Sequence, residues 1–87
     1  MVSAEAVIKN PTGLHLRPAG LLCKEALLYK SKISFKIGST TANAKSVLSV
    51  LGACVKSGDE LMFICEGPDE EAALSAMLKI VEDGLGE

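Results

Sequence analysis

The segment Asn10-Pro11-Thr12-Gly13-Leu14-His15-Leu16-Arg17-Pro18-Ala19 joins two stretches of different hydrophobic period. Before it, Val2, Ala4, Ala6 and Ile8 fall on one face and Ser3, Glu5 and Lys9 on the other, with Val7 breaking the alternation. That pattern predicts a half-buried strand over residues 2–9. After it, Ala19, Leu22, Cys23, Ala26 and Leu27 recur at i, i+3, i+4, i+7 and i+8. That stripe predicts a helix over 16–29. The joint begins with Asn-Pro-Thr-Gly, residue types that make turns. Pro18 falls in the first turn of the helix, where a missing N–H costs little. His15 then stands at or beside the N-cap, although Pro18 biases Arg17 away from helical dihedrals.

The alternation returns downstream. Ile33, Phe35 and Ile37 point one way and Lys32, Ser34 and Lys36 the other, a strand over 32–37. Gly38-Ser39 suits a type II′ hairpin turn leading to a short return strand over 40–43. Ser46 is a good N-cap for a short helix whose face is Val47, Val50, Leu51 and Cys54, ended by Gly52 or by the loop at 56–59. Residues 60–66 are the strongest strand, bounded by Gly58-Asp59 and Gly67-Pro68. Asp69 is expected to cap a last helix with Glu70 and Glu71 in its first turn, an inward face of Ala73, Ala76, Met77, Ile80 and Val81, and Gly84 at C′. The order β-α-β-β-α-β-α in one short chain predicts an α+β fold: a four-stranded antiparallel sheet with three helices on one face.

Composition narrows the function. The chain has 87 residues, nine basic and eleven acidic, so the electrostatic footprint of a nucleic-acid binder is missing. The longest apolar run, residues 61–65, is too short to span a bilayer. The first residues lack a basic-then-apolar leader, so the expected compartment is the cytoplasm, without membrane insertion. Cys23, Cys54 and Cys65 form no C-x-x-C pair and read as buried, reduced thiols. One histidine and no close cysteine pair make a metal site a poor fit, and no cofactor is expected.

All imidazole chemistry must pass through His15. A helix start offers unpaired N–H groups and partial positive charge, and with Arg17 two residues on it makes an anion site suited to phosphate. A neutral imidazole nitrogen can attack a phosphoryl group, with those donors holding the transferred oxygens. Residue types alone favour an ordinary capping or loop histidine, with Arg17 a solvated charge.

Gly13-Leu14-His15-Leu16-Arg17-Pro18-Ala19 resembles the active-site motif of the HPr family, the histidine-containing phosphocarriers of the sugar phosphotransferase system, whose pattern is G-L-H-A-R-P-A. Two further landmarks match: Asn43-Ala44-Lys45-Ser46 before an apolar short helix, and Glu66-Gly67 before the acidic start Asp69-Glu70-Glu71. The likeness covers essentially the whole chain without gaps. It implies an open-faced β-sandwich and a single HPr-like domain over 1–87. His15 would be phosphorylated on Nδ1 by phospho-enzyme I, with Arg17 neutralising the phosphoryl group, and would pass it to the IIA unit of a sugar permease. The chain would then be a phosphorylated intermediate, not a catalyst. Ser46 matches the serine that a kinase/phosphorylase modifies in low-GC Gram-positive relatives, where the phosphoserine form joins catabolite control protein A. Partner docking is implied around Gly20, Val47, Leu48 and Leu51, with Lys24 and Lys45 on a basic rim.

Some positions depart from the family. Leu16 replaces a small residue, Cys54 stands where glycine is common, Pro68 replaces an acidic residue, and Leu27, Thr40 and Ser49 stand where some members carry lysine. A regulatory paralogue acting mainly through phospho-Ser46 is a rival reading, although such relatives tend to lose the histidine kept here. An α+β binding module with a chance motif is another.

Overall fold

The structure is a computed structural model, and it describes residues 1–86. Seven elements follow in the expected order. They are β1 (Val2–Val7), α1 (Leu16–Ala26), β2 (Lys32–Ile37), β3 (Thr40–Asn43), α2 (Val47–Gly52), β4 (Glu60–Glu66) and α3 (Glu70–Glu82). The strands form one antiparallel sheet in the spatial order β1-β4-β2-β3. The strongest apolar strand, β4, is therefore central, and the two-residue Gly38-Ser39 turn joins β2 to the edge strand β3. Gly38 has φ +58° and Ser39 does not share its sign, as a type II′ turn requires.

Register sorts the side chains. Ala4 pairs with Phe63 and Phe63 with Phe35, so one row of the sheet carries these three toward the helices. The two phenylalanine rings meet edge to face, with centroids 5.8 Å apart, and both are fully buried. Such a pair adds about 1 kcal/mol beyond its buried area. The adjacent row, Glu5, Met62, Lys36 and Thr41, faces outward. Ala19, Leu22 and Ala26 of α1, Val50 of α2 and Ala73, Met77 and Val81 of α3 close the core.

The described elements differ from the sequence reading at four places. Strand β1 ends at Val7, and Ile8 is buried beyond it, its N–H bonded to the Asp59 carbonyl. Helix α1 stops at Ala26. Leu28 and Tyr29 donate to the Glu25 and Ala26 carbonyls, tightening the chain into a turn that swings Leu27 out to 62% exposure. Cys54 is exposed rather than inward, because α2 ends at Gly52 and Cys54 takes φ +54°. Asp69 sits at the N-cap of α3, but its side chain makes no cap bond. One carboxylate oxygen accepts from the Ser31 N–H (2.9 Å) and Oγ–H (2.6 Å), and the other from the Lys30 N–H (3.0 Å). It fastens the start of α3 to the approach of β2. The far end of α3 closes as expected: Gly84 has φ +85°, its N–H bonds Val81 and the Leu85 N–H bonds Ile80, which buries Leu85.

The Ser31 hydroxyl and then the Lys30 N–H hold the Asp69 carboxyl down at about 2. A depressed folded pKa stabilises the fold above the unfolded value and loses that contribution as pH falls through the folded one. The contribution is thus complete above about pH 4 and disappears as pH approaches 2. Asp69→Asn is expected to lower the urea midpoint at neutral pH and to flatten its decline between these limits. Equal acid slopes in both proteins would contradict the clamp. Left-handed backbone at a non-glycine residue carries strain of about 1–2 kcal/mol. Cys54→Gly is therefore expected to raise stability by about 0.5–1 kcal/mol after glycine's own entropy cost. A thiol reagent should label Cys54 rapidly in the native protein, and Cys23 and Cys65 only after unfolding.

Candidate functional site

The loop between β1 and α1 is built like a buckle. Asn10 is buried, its side-chain Nδ2 donates to the Gly13 carbonyl at 2.6 Å, and its own carbonyl accepts the Gly13 N–H at 3.2 Å. Leu14 then donates to the Val55 carbonyl at 3.0 Å and places its side chain in the core. Gly13 has φ +66°, and a Cβ there would stand 2.5 Å from the Val55 carbonyl oxygen and 2.8 Å from the Lys56 Cα. Only glycine fits, on conformation and on space. The buckle fixes where the chain enters α1.

His15 is the next residue but one. It is the N-cap of α1, with extended backbone (φ −84°, ψ −169°), and its carbonyl accepts the Ala19 N–H at 2.9 Å. Its side chain is exposed and makes no cap bond to the helix, so the ring is not used as an ordinary cap. Leu16 and Arg17 occupy the first two helical positions, where N–H groups have no intrahelical partner. Pro18, third and buried, has no N–H to offer. The helix start thus presents two backbone donors, the Arg17 guanidinium on an exposed side chain and no acidic residue in the first turn. An anion is favoured there.

Helix α1 packs against α2, and the Cys23 thiol reaches the Lys45 carbonyl at 3.0 Å, just before α2. Ser46 is the N-cap of α2 as expected, half-buried, its Oγ accepting the Ser49 N–H at 3.2 Å. Val47 and Leu51 are half-buried, and Leu48 projects outward at 83% exposure. Gly20 is half-buried, and a Cβ on it would meet nothing within 4 Å, so packing inside the chain does not require its small size. Leu16 is also an exposed apolar residue, at 68%. Lys24 is exposed in the last turn of α1. Lys45 is half-buried and its Nζ is tied to the Tyr29 carbonyl at 2.6 Å, so it is not a free rim charge. Among the described residues no group of three or more His, Cys, Asp and Glu side chains could hold a metal ion. Among the described residues no helix is long and apolar enough to cross a membrane.

The family model described as "PTS HPr component phosphorylation site" matches residues 2–83. The chain belongs to the HPr phosphocarrier family. The HPr phosphocarrier protein of Treponema pallidum is 37% identical over 87 residues, covering all of this chain and 99% of that one. A multiphosphoryl transfer protein of Vibrio cholerae is 42% identical over 83 residues, covering 92% of this chain, which spans about a fifth (21%) of that longer protein. Among solved structures, HPr-C-His from Thermoanaerobacter tengcongensis superposes with a TM-score of 0.96 at 36% identity, covering all of this chain and 98% of that one. The four-stranded sheet with three helices is the family's open-faced fold.

Sequence reasoning named His15 and Arg17 but missed the part played by Asn10. The signal was present in Asn10-Pro11-Thr12-Gly13, yet a turn motif does not reveal that its first side chain is buried and bonded across to its last carbonyl. Gly13→Ala is expected to destabilise the protein by about 2 kcal/mol or more, because neither backbone neighbour can retreat. A change in thermal midpoint within experimental error would contradict the close approach.

Proposed function

We propose that this HPr-family chain carries phosphoryl groups on His15. A ring nitrogen attacks the phosphorus of phospho-enzyme I, the N–P bond forms, and the bond to enzyme I breaks with its electron pair remaining on that enzyme. The phosphoryl oxygens then lie against the Leu16 and Arg17 N–H groups and the Arg17 guanidinium. The reverse displacement delivers the group to the IIA unit of a sugar permease. On this reading the protein is a single-domain cytoplasmic intermediate, substrate to one phosphotransferase and donor to the next, and not a catalyst in its own right. The observation that supports it best is an exposed histidine at an N-cap whose side chain does not cap, within Gly13-Leu14-His15-Leu16-Arg17-Pro18-Ala19.

Docking is assigned to the α1–α2 surface around Gly20, Val47, Leu48 and Leu51, with Lys24 and the Lys45 region beside it. The outward Leu48 supports this, and the exposed Leu16 enlarges the apolar area. Ser46 is assigned a regulatory role. A phosphate on its Oγ would remove the bond from the Ser49 N–H and set a dianion at the start of α2, on the docking surface. Its modifying enzyme would be an HPr kinase/phosphorylase and its reader catabolite control protein A. The retained His15 favours the carrier over a purely regulatory paralogue.

Incubation with phosphoenolpyruvate and enzyme I is expected to give an acid-labile label on the wild type and none on His15→Ala. Equal labelling of both, or of neither, would contradict the carrier reading. With the kinase and ATP, an acid-stable label is expected on the wild type and not on Ser46→Ala. An unlabelled wild type would remove that role.

A further inference from the structure

A cleft of about 520 Å³ lies between the start of β2 and the edge strand β3. Lys30, Lys32 and Lys45 line it, with Thr41, Asn43 and Ser49, and no acidic residue lines it. Three of the chain's nine basic residues thus share one concavity in a protein whose net charge is −2. None of the three lysines forms an ion pair among the described residues. Two carboxylates stand nearby. Glu66 is opposite Lys32 in the register, and both Asp69 oxygens are already held by Ser31 and Lys30 donors. Neither lines the cleft.

The wall is held in place by its own bonds. Lys45 Nζ is anchored on the Tyr29 carbonyl at 2.6 Å, which leaves two of its N–H groups for a ligand. Asn43 Oδ1 accepts the Lys45 N–H at 2.9 Å, which turns the Asn43 NH₂ group away from that bond. Ser49 Oγ accepts the Asn43 N–H at 2.8 Å, so its hydroxyl proton can be donated elsewhere. The acceptors of this network are thus engaged by the backbone and its donors remain. A concavity lined by three lysines and fixed neutral donors, and by no carboxylate, suits an anion rich in acceptors, and a phosphate dianion has the charge for it. The space exceeds a bare phosphate, and Thr41 and Ser34 add hydroxyls that suit a hydroxylated carbon body.

We propose that this cleft binds a small phosphate monoester of a polyhydroxy compound, at a site separate from His15 and independent of the carrier reading. The probes are glucose 6-phosphate, inorganic phosphate and glucose, each titrated into the ¹⁵N-labelled chain. Glucose 6-phosphate is expected to give saturable shifts confined to residues 30–34 and 41–49, with inorganic phosphate weaker and glucose inactive. Lys32→Gln, at an exposed position, is expected to weaken binding by about threefold. Lys79→Gln, on α3 and outside the cleft, should leave binding unchanged. Both variants should keep their label from phosphoenolpyruvate and enzyme I, which separates this site from the carrier reading. The proposal is overturned by non-saturating shifts, by shifts centred on His15 and Arg17, or by equal affinities of Lys32→Gln and the wild type. An equal response to inorganic phosphate and glucose 6-phosphate would overturn the assignment to an organic ester.

Discussion

The backbone of Gly13 lies against the Val55 carbonyl and the Lys56 Cα too closely for any side chain. Much of the functional end of the molecule depends on this approach. It brings the exit of β1 against the segment after α2, with Leu14 bonded to Val55 and buried in the core. Asn10 reinforces it from within the loop. Because both sides of the contact are backbone, the position of α1 is set by atoms that cannot change rotamer. His15, two residues beyond this lock, is thereby held by scaffold, which suits the proposed transfer between two partners.

The sheet supplies the other half of the support. Its register carries buried Phe35 and Phe63 and half-buried Ala4 in one row on the side of the helices. The order of the strands puts β4 in the middle, between the first strand and the hairpin. Helices α1 and α2 are then neighbours, and their two N-caps are His15 and Ser46, the residues proposed above to accept a phosphoryl group. The charge economy of the protein is local. An overall net charge of −2 coexists with a helix start that has Arg17 and no acidic residue in its first turn.

Much of this was legible in the sequence, and the reasons are specific. Strand β2 was plain because one buried face imposes alternation, which Ile33, Phe35 and Ile37 show, and β4 because a short apolar run between turn residues marks a central strand. Ser46 was legible because a capping hydroxyl before an apolar run has few other uses. Leu27 was misplaced because a helical stripe continues in sequence after the helix has ended, and only the turn at 25–29 shows where it stops. Cys54 was misplaced because its left-handed φ takes it off the helical period. Asp69 looked like a cap, and no local pattern tells that its carboxylate reaches Ser31, 38 residues away. The histidine and arginine of the site were readable as residue types, but their chemistry was not: the same types suit a plain cap. Motif resemblance, and then an exposed ring that makes no cap bond, are what support the proposed role.

The central claim is that the start of α1 receives a phosphoryl group on the His15 ring. The most direct measurement is a pair of ¹⁵N–¹H spectra of the chain, before and after phosphorylation by enzyme I. The account predicts large downfield shifts of the Leu16 and Arg17 amides, which have no intrahelical acceptor, with the Asn10 and Gly13 signals nearly unmoved. Unchanged Leu16 and Arg17 amides in a fully phosphorylated sample would contradict it.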